Sequence, residues 1–161
     1  MLYHVSIEAD DPRHVAEIFC EFWGGAVAPF PPVGEDSWLA FAGDDRNTMI
    51  EIYPRGTELH EAIGDADAVG LRFPRRRHTA THFAVGTPLS ETEVMVICAR
   101  EGWPAKYRKR GGAFGVIEIW IEGCQMIELL TPEMEREYLE TMTPAGWAAQ
   151  LEAARPVPEL A

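Results

Sequence analysis

Apolar and polar residues alternate from Leu2 to Glu8. Tyr3, Val5 and Ile7 share one face and His4, Ser6 and Glu8 the other, the period of a half-buried strand. The period then lengthens: Val15, Ile18, Phe19 and Phe22 fall at i, i+3, i+4 and i+7, which predicts a helix with one apolar stripe. Asp11-Pro12 supplies its N-cap and first-turn proline, and Gly24-Gly25 ends it. Three strands follow, Ala26 to Pro29, Ser37 to Ala42 and Thr48 to Tyr53, separated by Pro31-Pro32, Gly34 and a Gly43-Asp44-Asp45 turn.

The same order of elements returns in the second half. His82 to Val85 reads as a strand, and Ser90-Glu91-Thr92-Glu93 as a capping box opening a helix with Val94, Ile97 and Cys98, closed by Gly102. Strands are expected over Ala105 to Arg110, Phe114 to Ile121 and Gln125 to Leu130. Acidic helical sequence runs from Pro132 through Met142, and Thr143-Pro144 starts a last amphipathic helix with Trp147 and Leu151 four apart.

The recurrence extends to residues. Met49-Ile50-Glu51-Ile52 matches Met126-Ile127-Glu128-Leu129, and Tyr3-His4-Val5 matches Thr81-His82-Phe83. From His4 to Glu51 is 51 − 4 = 47 positions and from His82 to Glu128 is 128 − 82 = 46. Each half is therefore a β-α-β-β-β module, too small to bury a comfortable core alone, so the two are expected to share one. The chain divides into an α+β domain over 1–132, with modules at about 1–54 and 80–132 joined by a loop over 55–79, and a C-terminal helical extension over 133–161. A connection of that length reads as a mobile linker or a lid.

Composition narrows the function classes. With 161 residues, 47% of them hydrophobic and 25% charged, the chain is one globular domain. Fourteen Lys and Arg against 26 Asp and Glu give a net charge of −12, which argues against nucleic acid as a partner. No apolar run approaches the roughly 20 residues of a membrane span, and His4, Glu8, Asp10 and Asp11 interrupt the place of a signal-peptide core. A cytoplasmic protein starting near Met1 is expected. Cys20, Cys98 and Cys124 have no C-x-x-C spacing and signal neither a disulfide nor a zinc framework, and Cys20 and Cys98, in apolar helical stretches, read as reduced structural thiols.

Paired β-α-β-β-β modules with His on the first strand and Glu on the last resemble the vicinal oxygen chelate superfamily, which includes glyoxalase I. The resemblance covers about Met1 to Pro132, and Gly123-Cys124-Gln125-Met126-Ile127-Glu128-Leu129 is similar to that family's closing metal-ligand strand. It implies strands curled into a cup, a curved mixed sheet with flanking helices, around one divalent metal ion held by His4, Glu51, His82 and Glu128.

The residues themselves support that set. Two imidazoles and two carboxylates suit Zn, Ni, Co, Mn or Fe rather than calcium. Strand parity puts Glu51 with Met49 and Tyr53, and Glu128 with Met126 and Leu130, so each carboxylate sits on an otherwise apolar face where its charge is costly unless paired or coordinated. Any one of the four alone reads as an ordinary hydrogen-bonded or solvated residue; the matched spacing joins them.

The implied activity is a lyase or isomerase that forms an enediolate from a small carbonyl substrate, with Glu128 as first choice of base and Glu51 as second. The alternatives are an iron-dependent ring-cleaving dioxygenase and a metal-free antibiotic-binding protein of the same fold. Basic residues gather in two stretches. Arg75, Arg77 and Arg108 are candidate contacts for an anionic small-molecule substrate, or part of a solvated, aggregation-resistant edge. Tyr53 is a further candidate substrate contact, with packing as its other reading. Pairing of modules between chains would give a homodimer, for which the segment around Trp147 is a candidate contact.

Overall fold

The structure is a computed structural model that describes residues 3–63, 68–74 and 77–153. The first module consists of β1 (His4–Ala9), α1 (Pro12–Trp23), β2 (Ala26–Pro29), β3 (Trp38–Phe41) and β4 (Met49–Pro54). Its sheet has the order β1-β4-β3-β2, with β1 parallel to β4 and the other pairs antiparallel. A hairpin of β5 (Thr57–His60) and β6 (Val69–Arg72) follows. The second module repeats the first with β7 (Ala84–Gly86), α2 (Glu91–Glu101), β8 (Ala105–Arg110), β9 (Phe114–Ile121) and β10 (Gln125–Leu130), in the order β7-β10-β9-β8. Helices α3 (Pro132–Thr141) and α4 (Pro144–Ala153) complete the described chain.

One buried cluster serves both modules, as the small size of each requires. The α1 stripe contributes Val15, Ile18, Phe19 and Phe22, all buried with Ile7, Ile50 and Ile52. Each large side chain removed from water in this way stabilises the fold by about 1.5–3 kcal/mol. Asp11 caps α1, its side chain accepting from the His14 N–H at 3.0 Å. The second module adds Val94, Ile97 and Cys98 of α2, with Ile117, Ile119, Ile121, Ile127 and Leu129. The capping box forms as the sequence suggests: Ser90 Oγ accepts from the Glu93 N–H, and Glu93 accepts from the Ser90 N–H. Burial pushes the Cys98 thiol up to about 11, consistent with an inert core residue.

A buried arginine couples the modules. Arg55, 3% exposed, donates to Asp10 at 2.9 Å and to Glu122 at 2.5 Å. Glu122 also accepts from the backbone N–H groups of Asp10 and Asp11. The β1–α1 turn of one module is thereby tied to the β9–β10 turn of the other. Elsewhere Thr87 donates to the Phe22 carbonyl, the Trp23 indole donates to the Gly86 carbonyl, and Arg100 pairs with Glu21.

Three expectations are corrected. The 55–79 connection is not structureless: Thr57↔Arg72 and His60↔Val69 bound a four-residue antiparallel ladder, and Gly70 lies so close to the Val33 carbonyl that a Cβ would stand 2.7 Å from its oxygen. The strand expected from His82 starts only at Ala84, leaving His82 in irregular, exposed backbone. Helix α4 forms but buries none of its residues, with Trp147 50% and Leu151 53% exposed. No helix among the described residues is long and apolar enough to cross a membrane.

Candidate functional site

The repeat seen in the sequence is a repeat of register. In the parallel β1–β4 pair Ser6 lies opposite Glu51, and in the parallel β7–β10 pair Ala84 lies opposite Glu128. Ser6 is two residues after His4 and Ala84 two after His82, so each module offers its His and Glu in the same relative places. The glutamate faces lie opposite the helix-packed core, as strand parity requires.

The two glutamates are nevertheless held differently. The side chain of Glu51 is 13% exposed and accepts two hydroxyl hydrogen bonds on Oε2, from Ser6 at 2.7 Å and from Tyr53 at 2.5 Å. Its other oxygen, Oε1, stands 3.9 Å from His4 Nε2. Tyr53 is buried, stacks on Phe30, and has its phenol pushed up to about 12, by burial first and by the Glu51 carboxylate next. Tyr53 is thus a neutral donor throughout the ordinary pH range. Two neutral donors fix the carboxylate without cancelling its charge.

Glu128, 14% exposed, is held by a cation. Arg110 donates to Glu128 Oε1 through Nε at 3.0 Å and through Nη2, and the same Nη2 reaches Glu118 at 2.9 Å. Trp120 donates to the second Glu118 oxygen at 3.1 Å. Burial raises the Glu118 carboxyl, but the Trp120 and Arg110 hydrogen bonds outweigh it and hold the group below its ordinary value. The comparison of modules explains the arginine. Where the first has Ser6 and Tyr53 the second has Ala84 and Leu130, which carry no hydroxyl, and the edge strand supplies a guanidinium instead.

His82 lies apart from this pair, its Nδ1 at 3.3 Å from the Ala80 carbonyl oxygen. Among the described residues no three His, Cys, Asp or Glu gather where they could hold one ion, so the four candidate donors do not form a single cluster. The chemistry of the donor set fits a divalent ion at His4 and Glu51, an imidazole beside a carboxylate that no lysine or arginine among the described residues occupies. It does not fit at Glu128, where the Arg110 guanidinium, shared with Glu118, already stands against the carboxylate. Of the basic candidates, Arg77 is engaged by Asp10 at 2.9 Å and by the Glu122 carbonyl. Arg108 is exposed on the same face as Glu128 and Arg110, and Arg75 lies outside the described residues.

Ser6 is the site residue that sequence reasoning did not single out, and Arg110 stood there only as one of the clustered basic residues, not as the partner of Glu128. Period-two parity was the available signal: Ser6 shares its strand face with His4, and Arg110 shares its face with Arg108. The buried Arg55, directly after Pro54, had no such signal.

No protein-family model and no curated protein matches the chain. Solved structures do match by shape. Fosfomycin resistance protein FosX from Listeria monocytogenes, complexed with Mn(II) and sulfate ion, aligns with a TM-score of 0.55 at 14% identity over 87% of this chain and 96% of that one. The trypanothione-dependent glyoxalase I of Leishmania major aligns with a TM-score of 0.52 at 18% identity, covering 94% and 98%. Lactoylglutathione lyase from Agrobacterium tumefaciens aligns at 0.50 with 14% identity, covering 83% and 94%. With two β-α-β-β-β modules in matched register and these neighbours, the chain has the fold of the vicinal oxygen chelate superfamily.

Proposed function

We propose that this chain is an enzyme of glyoxalase type, a lyase or isomerase that moves a proton beside a carbonyl group of a small substrate, with Glu51 as the base. The observation that carries this reading is the state of Glu51: largely buried, oriented by Ser6 and Tyr53, and, among the described residues, paired with no lysine or arginine. Oε1, free of both hydroxyl bonds, is the oxygen that takes the proton. The choice of base moves here from Glu128 to Glu51, because Arg110 already occupies the Glu128 carboxylate.

Glu51 Oε1 removes the proton from the carbon next to the carbonyl, and the electron pair of that C–H bond moves to the carbonyl oxygen to give an enediolate. The Glu51 carboxylic acid returns the proton to the former carbonyl carbon, while the carbonyl re-forms on the carbon that lost it and the hydroxyl proton of that carbon passes to the other oxygen. Ser6 and Tyr53 hold Oε2 throughout, so Oε1 stays aimed. A divalent ion bound at His4 and Glu51 would polarise the substrate carbonyl. Bringing His82 and Glu128 to the same ion takes a second copy of the chain and release of Glu128 from Arg110, which makes a homodimer the form to look for.

Solvent deuterium incorporation into small α-hydroxy ketones and ketoaldehyde–thiol adducts, followed by NMR, tests the reading. Exchange that Glu51→Gln abolishes supports it, and wild-type exchange in that variant overturns it. Elemental analysis of untagged protein tests the ion: His4→Ala should lose bound divalent metal. A metal-free binding protein is the second reading, favoured by one observation, the arginine that already occupies Glu128. It requires ligand binding with no proton exchange.

A further inference from the structure

The turn before β3 and the hairpin after β4 enclose a space of their own. Gly34 to Ser37 closes as a turn, the Ser37 N–H donating to the Gly34 carbonyl at 3.0 Å, and the hairpin packs on it through Gly70. Between them is a cavity of about 390 Å³, with Glu35, Asp36 and Ser37 on the turn side and Thr57 and Arg72 on the hairpin side. None of His4, Ser6, Glu51, Tyr53, His82 or Glu128 lines it.

Ser37 is 0% exposed, and among the described residues its Oγ is the one buried side-chain polar atom without a hydrogen-bond partner. A hydroxyl kept from water in this way destabilises the fold unless something else bonds it. Gly34 leaves a way in. A Cβ built there would meet only Ser37 Oγ, at an ordinary contact distance of 3.5 Å, so the side of the turn that a side chain would cover is open toward the hydroxyl.

The charged groups of the wall are also without partners. Arg72 forms no ion pair among the described residues; its Nη1 reaches Thr57 Oγ1 at the long distance of 3.5 Å, and Thr57 directs its own proton to the Pro54 carbonyl at 2.6 Å. Glu35 and Asp36 are exposed and likewise unpaired among the described residues, so no ion pair joins them to Arg72 across the space. A bare anion would meet both carboxylates and a chain charge of −12, and a bare cation would meet the guanidinium. A molecule carrying both signs satisfies the whole wall.

We infer that this cavity binds a small zwitterion, a free α-amino acid, at a site separate from Glu51. Its carboxylate lies on the Arg72 fork and accepts the Ser37 hydroxyl proton, and its ammonium faces Glu35 and Asp36. The volume stands near the lower end of the ~300–1,000 Å³ of small-molecule sites, which suits a ligand of that size. The inference goes beyond the proton-transfer reading and uses none of its residues.

The test screens the full-length chain against the standard α-amino acids, one at a time, by saturation-transfer NMR and titrates the strongest binder by calorimetry. One equivalent per chain should bind. The N-acetyl derivative of that amino acid, which lacks the ammonium, and its decarboxylated amine, which lacks the carboxylate, should each bind about tenfold more weakly or worse. Arg72→Gln, and Glu35→Gln combined with Asp36→Asn, should each cause a similar loss. Gly34→Ala lays a methyl group over the hydroxyl at a backbone position that is not left-handed, so binding should weaken with the melting temperature unchanged. Ser37→Ala should weaken binding and at the same time raise the melting temperature of the free protein, a pair of opposite changes that a merely structural serine would not produce. Binding of no amino acid, equal binding of either singly charged analogue, or full binding by Arg72→Gln or Ser37→Ala overturns the inference. Deuterium exchange is measured separately on the same protein, so the failure of one conclusion leaves the other standing.

Discussion

The two modules share a strand order and a register, yet they treat the same glutamate in opposite ways. In the first, Glu51 receives hydrogen bonds from Ser6 and Tyr53 and stands beside His4. In the second, Ala84 and Leu130 leave those places without a donor, and Arg110 takes over. Hydroxyl donors orient a carboxylate without adding a cation, whereas a guanidinium pairs with it. A duplicated scaffold thus carries one glutamate held by neutral hydroxyls and one held in an ion pair.

The largest expected effect follows from this difference. Glu51→Gln should lower proton exchange by about 10²–10⁴-fold, the range for loss of a general base, and Glu128→Gln by far less; equal losses measured in the same exchange assay would break the comparison. Next in size, Arg110→Met leaves Glu118 and Glu128 as unpaired neighbours. Chemical denaturation should show a loss of about 1–2 kcal/mol, below the figure for a fully buried pair because the arginine is partly exposed. In a Ser6→Ala, Tyr53→Phe double variant the first half becomes a copy of the second without its cation, and exchange should fall while the melting temperature drops.

The acid limb of stability sharpens the contrast. Glu118 is held below its ordinary value in the folded chain, so its contribution is fully present above the unfolded carboxyl value, about pH 4.3, and is lost as pH falls through the folded one. Denaturation measured between neutral and acid pH should be less pH-dependent in Glu118→Gln than in the wild type. Smallest, removal of either helix cap, Asp11→Ala on α1 or Ser90→Ala on α2, should cost about 1 kcal/mol. The helices are equivalent in this respect, and a large asymmetry in denaturation midpoints would show that the halves differ beyond their glutamate faces.

The fold was legible because both signals it rests on are periodic. The α1 stripe at Val15, Ile18, Phe19 and Phe22 and the alternation in β1, β4 and β10 read directly as buried faces, and all four stripe residues are buried. The paired Met-Ile-Glu segments marked the strands that carry the glutamates. The hairpin was harder to read, since Thr57-Glu58-Leu59-His60 is short and its partner strand begins nine residues after His60. At the site, sequence spacing located Glu51 and Glu128 but not what holds them. Ser6 and Tyr53 lie two residues from the marked His and Glu, within reach of parity. Arg110 reaches Glu128 from a different strand, 18 positions away, and only the sheet brings it there.

The hairpin has a colloidal consequence. Val69, Leu71 and Phe73 are each more than two-fifths exposed on β6 and just beyond it, and Ile63 is almost fully exposed. Contact between such faces on different molecules is attractive, and at neutral pH it is opposed by a charge of −12 on every copy. That opposition vanishes near the isoelectric point of 4.8, where the apolar face is unchanged and the molecules no longer repel. Solubility should therefore pass through a sharp minimum there, and replacing Leu71 and Phe73 with serine should make that minimum shallower.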